Sequence, residues 1–306
     1  MTGAGNMLKR IKLAALGLML TSFAACGWTP APEYAAKGPV EVAFMARGPW
    51  QVSRSNSGEA CTSKGHSCDI WAPTGPATDN APGLRGGRHP VVAWANGSGQ
   101  KPEVYAQFLD HLASWGFVVI APRDEMTGNG QTVADAARYI ILQGETRSSP
   151  FYGRIDRERM AAVGHSQGGA SVAALHARNA PLFRTYMTYH ISPDFFARWC
   201  CAVDQASYAD LSPRGSIFHW ASQVDSGNPD WYEVVGGHAP KAFALLRHAG
   251  HEAIGPRPRP YLGYSTAWLM WQLNGDRRAA AAFAPQGEFF NDNISWADSR
   301  AARTGL

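Results

Sequence analysis

The chain has 306 residues, 45% of them hydrophobic and 17% charged, with a formal net charge of +4. That composition is globular and excludes a disordered chain, and the length suits one large α/β domain with a full core or two small ones. Much of the positive charge sits at the two ends (Lys9, Arg10, Lys12; Arg277, Arg278, Arg300, Arg303). No Lys/Arg run or basic stripe lies between them, which argues against a nucleic-acid partner.

The first residues read as an export signal. Lys9, Arg10 and Lys12 form a positive region, and residues 13–25 an apolar run that ends in small residues and is too short to span a bilayer permanently. Met7 is an alternative start that leaves a shorter positive region. Phe23-Ala24-Ala25-Cys26 looks like a bacterial lipobox, with phenylalanine where leucine is usual. The expectation is a signal peptide over 1–25, lipidation of Cys26, and an outer-membrane or periplasmic lipoprotein. Cleavage near Ala25 and release as a soluble secreted protein is the alternative. Residues 26–39 then read as a tether and 40–306 as a single domain. Lipidation of Cys26 would leave four cysteines. Cys61 and Cys68 flank a polar loop that a disulfide could close in an oxidising compartment. The adjacent Cys200 and Cys201 admit a vicinal bridge, buried thiols or cross-links elsewhere, and the sequence does not choose. No C-x-x-C pair with histidine partners occurs, so no metal is expected, and no cofactor.

In chain order, residues 40–45 and 68–72 are candidate early strands, and the Pro/Gly/Asn/Asp-rich 74–89 is a loop. Val91 to Ala95 is an apolar run bounded by Pro90 and Asn96-Gly97, hence a buried strand. Residues 103–115 carry Tyr105, Phe108, Leu109 and Leu112 at helical spacing. Gly116 ends that helix, and the strand 117–121 runs up to Pro122. A helix over 132–143 and a strand over 160–163 follow. Residues 167–178 read as a helix of small residues that can pack closely on a sheet. Strands are expected at 185–191, 216–221 and 241–246, and a Trp-rich amphipathic helix at 264–274. This alternation implies a mostly parallel sheet covered by helices on both faces, with ligands at the carboxyl ends of its strands.

The most informative stretch is Gly164-His165-Ser166-Gln167-Gly168-Gly169. It is G-x-S-x-G between a strand and a helix, the setting in which a serine sits on a strained turn with its hydroxyl exposed. The alternative is a chance match in a loop. A serine nucleophile needs a base, and the base needs an acid that fixes its tautomer; in this arrangement the acid and then the histidine follow the serine along the chain. Among Asp194, Asp204, Asp210, Asp225, Asp230 and Glu233, Asp225 lies just beyond the apolar run 217–221, with Asp230 as runner-up. Among His219, His238, His248 and His251, the last lies in a Gly-containing loop after 241–246 that can aim a ring back at the serine. The expected triad is Ser166, Asp225 and His251, with activity rising between about pH 6 and 8 as the imidazole becomes neutral. The oxyanion donors expected are the backbone N–H groups of Gln167 and Ser98, with Gly97 as the alternative to Ser98. Because these are main-chain donors, substitution at either position should cost less than the loss of a whole donor, about 2.7–4 kcal/mol.

These residues carry a resemblance. The chain is similar to the α/β-hydrolase branch that includes bacterial cutinase-like polyester hydrolases, poly(ethylene terephthalate) hydrolases and chlorophyllase-like esterases. The likeness rests on Gly48-Pro49-Trp50, Asn96-Gly97-Ser98, residues 114–120, residues 164–169, Asp225, His251 and the Trp-rich helix, and runs from about residue 40 to 284. It implies an α/β-hydrolase fold and hydrolysis of a small or polymeric ester. The cutinase-like enzymes usually carry methionine where this chain has Gln167, an aromatic where it has Ser98, and a Trp that has no clear match in residues 190–193. Phe195, Phe196 and Trp199 are candidates for a different apolar wall. The reading is therefore a serine carboxylic-ester hydrolase of unassigned substrate. Acyl transfer or peptide hydrolysis by the same triad, and a surface lipoprotein that kept the fold without catalysis, are the alternatives.

Overall fold

A computed structural model describes residues 33–75, 86–191, 194–203, 215–223, 228–235 and 239–302, with only the backbone for 194–196 and 228–230. The leader, Cys26, His238, Asp204, Asp210 and Asp225 lie outside the described residues. In chain order the elements are α1 (Pro39–Met45), β1 (Gln51–Asn56), β2 (Cys68–Thr74), β3 (His89–Ala95), a 3-10 turn (Pro102–Tyr105), α2 (Ala106–Ser114), β4 (Val118–Pro122), α3 (Gln131–Glu145), β5 (Ile155–His165) and α4 (Gln167–Ala177). They continue with β6 (Thr185–Tyr189), α5 (Asp194–Cys201), β7 (Ser216–Ser222), α6 (Asn228–Val234), β8 (Lys241–Leu246), α7 (Arg259–Asn274), α8 (Arg277–Ala282), a second 3-10 turn (Glu288–Phe290) and β9 (Trp296–Ala302).

The strands form one sheet in the order β1-β2-β4-β3-β5-β6-β7-β8-β9. The run from β4 to β8 is parallel, and β1, β2 and β9 pair antiparallel at its ends. This is the α/β-hydrolase architecture. Successive side chains of a strand point to opposite faces, so β3 sends Val92 and Trp94 into one core cluster and Val91, Ala93 and Ala95 into the other. The first cluster is rich in aromatics and lies under α1, α2 and α7; the second is mostly Ala, Val and Ile with few aromatics and lies under α3 and α4. Burial on both faces is why the central strands read as unbroken apolar runs.

Residues 40–45, expected as a strand, are the helix α1. Val40, Val42 and Phe44 suggest a period of two, but Pro39 stands at the first helical position, where its missing N–H costs nothing. The buried pair is Glu41 and Phe44, three apart, while Val42 is 54% exposed. From Tyr34 onward, the stretch read as a tether is hydrogen-bonded to the domain: the Ala35 N–H donates to Ser295 Oγ at 3.0 Å, and Lys37 Nζ to the Phe289 carbonyl at 2.6 Å. Among the described residues two disulfides are present, Cys61–Cys68 and the vicinal Cys200–Cys201. Among the described residues, no helix is long and apolar enough to cross a membrane.

Candidate active site

The strand order reverses between β4-β3 and β3-β5, since the chain leaves β3 for β4 on one side and returns to β5 on the other. Such a switch opens a crevice at the carboxyl ends of the two strands. Ala95, the last residue of β3, pairs with Gly164 near the end of β5, so the loop Asn96-Gly97-Ser98 and the turn at Ser166 emerge side by side. Asn96 is buried, and its Nδ2 donates to the carbonyls of Pro122 (2.8 Å) and Asp124 (3.0 Å), which fixes the loop against the end of β4.

Ser166 has φ 55° and ψ −122°, a conformation a non-glycine residue holds only when its surroundings enforce it. The enforcement is packing between strand and helix. A Cβ on Gly164 would lie 2.5 Å from the Gly168 carbonyl oxygen, and one on Gly168 would lie 2.3 Å from that of Ala95. The Ser166 N–H donates to the Tyr189 carbonyl at 2.8 Å. Gln167 opens α4, so its N–H has no acceptor within the helix and points out of the positive helix end.

His251 lies in the loop after β8, and its Nε2 stands 2.8 Å from Ser166 Oγ. The structure thus brings together Ser166 and His251. Two of the other three candidate histidines, His219 and His248, are engaged elsewhere, and His238 lies outside the described residues. His219 is buried inside β7 with Nδ1 2.7 Å from Thr188 Oγ1, and burial pulls its pKa down to about 3. His248 is exposed, and its N–H donates to Gln223 Oε1. Of the acid candidates, Glu233 is exposed and paired with Arg300, which removes it as a partner of His251. After β7 the described residues stop at 223 and resume at 228, so Asp225 lies outside them, and only the backbone is described at Asp194 and Asp230.

In the loop expected to supply an oxyanion donor, the Gly97 N–H donates to Tyr105 Oη at 3.1 Å, so this amide is already engaged. Ser98 is exposed and makes no hydrogen bond among the described residues. Trp199, a candidate apolar wall, stands 72% exposed on α5.

Four residues whose part in the site the sequence did not disclose surround His251. Its carbonyl oxygen takes His165 Nε2 at 2.8 Å and His190 Nδ1 at 2.5 Å. His165 Nδ1 lies 2.9 Å from Tyr105 Oη, and His190 Nε2 3.0 Å from Tyr261 Oη. Burial, and then the neighbouring imidazoles of His190 and His251, hold the His165 pKa well below its ordinary value. The ring nitrogens of His165, His190 and His251 lie within 4.8 Å of one another, a spacing a metal ion can use. Here, however, two of them face a carbonyl oxygen and so carry protons, and His251 Nε2 faces Ser166, which fits a hydrogen-bond network better than a cation. In the sequence His165 stands out only by its place inside the G-x-S-x-G motif, and Tyr105 only as a member of an apolar helix face.

Comparison with known proteins agrees with this architecture. The model of the family described as PETase, PET hydrolase-like, matches residues 35–199, more than half of the chain. That match includes Ser166 and stops before His251. Cutinase est1 of Thermobifida alba is 25% identical over 187 residues, 58% of this chain and 58% of that protein. Chlorophyllase-1, chloroplastic, from Citrus unshiu and from Citrus sinensis is 28% identical over 95 residues, 29% of each chain. The chain thus spans less than two thirds of the length of these curated relatives.

Proposed function

The chain belongs to the PET hydrolase-like family, an ester-hydrolase family, and from that premise we propose that it hydrolyses carboxylic esters through a covalent acyl-enzyme on Ser166. The observation that carries this reading is the 2.8 Å approach of His251 Nε2 to Ser166 Oγ on a strained strand-to-helix turn. His251 Nε2 takes the hydroxyl proton as Oγ bonds to the ester carbonyl carbon, and the π pair moves onto the carbonyl oxygen. The N–H groups of Gln167 and Ser98 receive that oxyanion. The C–O bond to the alcohol then breaks, and the leaving alkoxide takes the proton from His251. Water repeats the sequence on the acyl-enzyme, releasing the acid and restoring Ser166. Asp225 is the proposed partner of His251 Nδ1. The substrate class is a small-molecule or polymeric ester. Peptide hydrolysis or acyl transfer would use the same groups and differ only in leaving group or acceptor.

A short-chain nitrophenyl ester and a serine-directed phosphonate test the reading. Turnover with a covalent adduct on Ser166 is expected, and Ser166→Ala should abolish both while the melting temperature stays nearly unchanged. No turnover and no adduct from the folded wild type would leave a non-catalytic binding protein of this fold. The proposed export and lipid anchor have their own check: Cys26→Ala should move the product from the membrane fraction to the soluble one.

A further inference from the structure

A loop histidine is useful to a serine only if the loop is held at one distance from the strand that carries the serine. The loop around His251 is closed by bonds of its own: the Ala253 N–H to Gly250 O, the Gly255 N–H to Glu252 O, and the Arg257 N–H to Ala253 O. These travel with the loop and do not fix it to the sheet. The His251 carbonyl does. It takes one bond from the end of β5 and one from the residue after β6, filling both lone pairs.

We propose that two tyrosine–histidine units, Tyr105–His165 and Tyr261–His190, form a clamp on the His251 carbonyl that positions its imidazole against Ser166. The proposal rests on the reading of Ser166 and His251 given above. A carbonyl only accepts, so His165 Nε2 and His190 Nδ1 are the protonated nitrogens. In neutral rings the opposite nitrogens then accept, and the phenols of Tyr105 and Tyr261 donate to them. All four side chains are buried, where an unmade hydrogen bond is costly, so the chain of donors holds one direction throughout. Tyr105 also holds a second loop, because its oxygen accepts the Gly97 N–H. One hydroxyl therefore joins the loop that offers the oxyanion donor to the loop that carries the base. His190 is held at φ 50°, a strained setting for a side chain other than glycine. These four are positioning residues and touch no reacting atom.

The two histidines donate through different nitrogens, which makes the test specific. Glutamine places an N–H where His165 Nε2 had it, and asparagine does so for His190 Nδ1 while tolerating positive φ. His165→Leu should lower kcat on a nitrophenyl ester by about 10²-fold, the loss expected of a base displaced by about 1 Å. KM should stay within about twofold. His165→Gln should recover most of the rate lost by leucine, His190→Asn should keep most of the wild-type rate, and Tyr105→Phe should lose an intermediate amount with its ring packing kept. Hydrogen exchange of amides 247–258 should rise in His165→Leu and Tyr105→Phe, while amides of β5 keep their protection. Unchanged kcat and unchanged exchange in a folded His165→Leu or Tyr105→Phe would overturn the clamp, as would glutamine performing no better than leucine. If leucine prevents folding, Tyr105→Phe and His165→Gln decide the matter. A wild type without turnover or phosphonate adduct would sink the hydrolase reading alone, since the exchange measurement judges the clamp without turnover.

Discussion

Gln167 separates what a backbone does from what a side chain does at the same position. Its N–H is the proposed oxyanion donor, yet its side chain is buried beneath residues 126–128. Oε1 accepts from the Thr127 N–H (3.2 Å) and the Thr127 hydroxyl (3.3 Å). Nε2 donates to Ser171 Oγ (2.9 Å) and to the Gly128 carbonyl (3.4 Å). Gln167→Met keeps nearly the same volume, so packing loss is small. The Thr127 hydroxyl and the Gly128 carbonyl both keep Ser171 Oγ as a partner, at 2.8 Å and 2.5 Å. What remains orphaned is the Thr127 N–H, in a residue that is buried. A stranded buried donor costs about 1–3 kcal/mol, and bonds this long place the loss in the lower half, about 1–2 kcal/mol. At about 2–4 °C per kcal/mol for a domain near this size, the melting temperature should fall by about 2–8 °C. Activity below that temperature should change little, because the donating N–H is untouched; loss of a whole donor would cost about 10²–10³ in kcat. Thermal melts and ester kinetics on the one variant read both quantities. An unchanged melting temperature with a hundredfold loss of kcat would refute the assignment and put the side chain at the substrate.

Two further outcomes follow from the packing and the buried charges. Gly168→Ala should prevent folding or lower the melting temperature far more than Gln167→Met, because the added Cβ would meet the carbonyl oxygens of Ala95 at 2.3 Å and Asn96 at 2.4 Å, neither of which can swing aside; a soluble variant with native melting would disprove the tight elbow. Burial pulls the pKa of His111 and His176 down to about 4 and that of His219 to about 3, so the unfolded chain binds more protons below about pH 6.5. The stability these rings contribute is full above about pH 6.5, declines as pH falls below that, and is gone once pH has passed through about 4 to 3. Glu41 runs the other way: burial raises its pKa to about 7, so its contribution is present below its ordinary 4.5 and lost as pH rises through about 7. Three imidazoles outweigh one carboxyl, and urea midpoints should rise from pH 4 to about 6.5 and then fall slightly by pH 8; a flat profile below pH 6.5 would contradict the burial of these rings.

The parts of the fold that were legible in the sequence are those whose environment is the same on both sides. Strands β3 and β4 are buried on both faces and so read as unbroken apolar runs. Edge strand β1, Gln-Val-Ser-Arg-Ser-Asn, is almost wholly exposed and carries no apolar pattern, and β9, half-buried along most of its length, carries no apolar alternation either; only pairing with a neighbour makes them strands. Helix α1 misleads because its apolar residues alternate while its buried ones do not. At the site, Ser166 was legible because the elbow needs glycines at fixed offsets, a demand that stays within a few residues. His251 was reachable through chain order and a loop after a strand. The clamp was not, because its bonds join residues 60 to 86 positions apart and each member looks like core: Tyr105 reads as one more inward residue of an apolar helix face. What unites them is sheet register. His165 pairs with Tyr189 in the parallel ladder, so His190 follows at the same edge. Both imidazoles thus reach the His251 carbonyl because two strands end level. No local pattern encodes that; the length and register of β5 and β6 do.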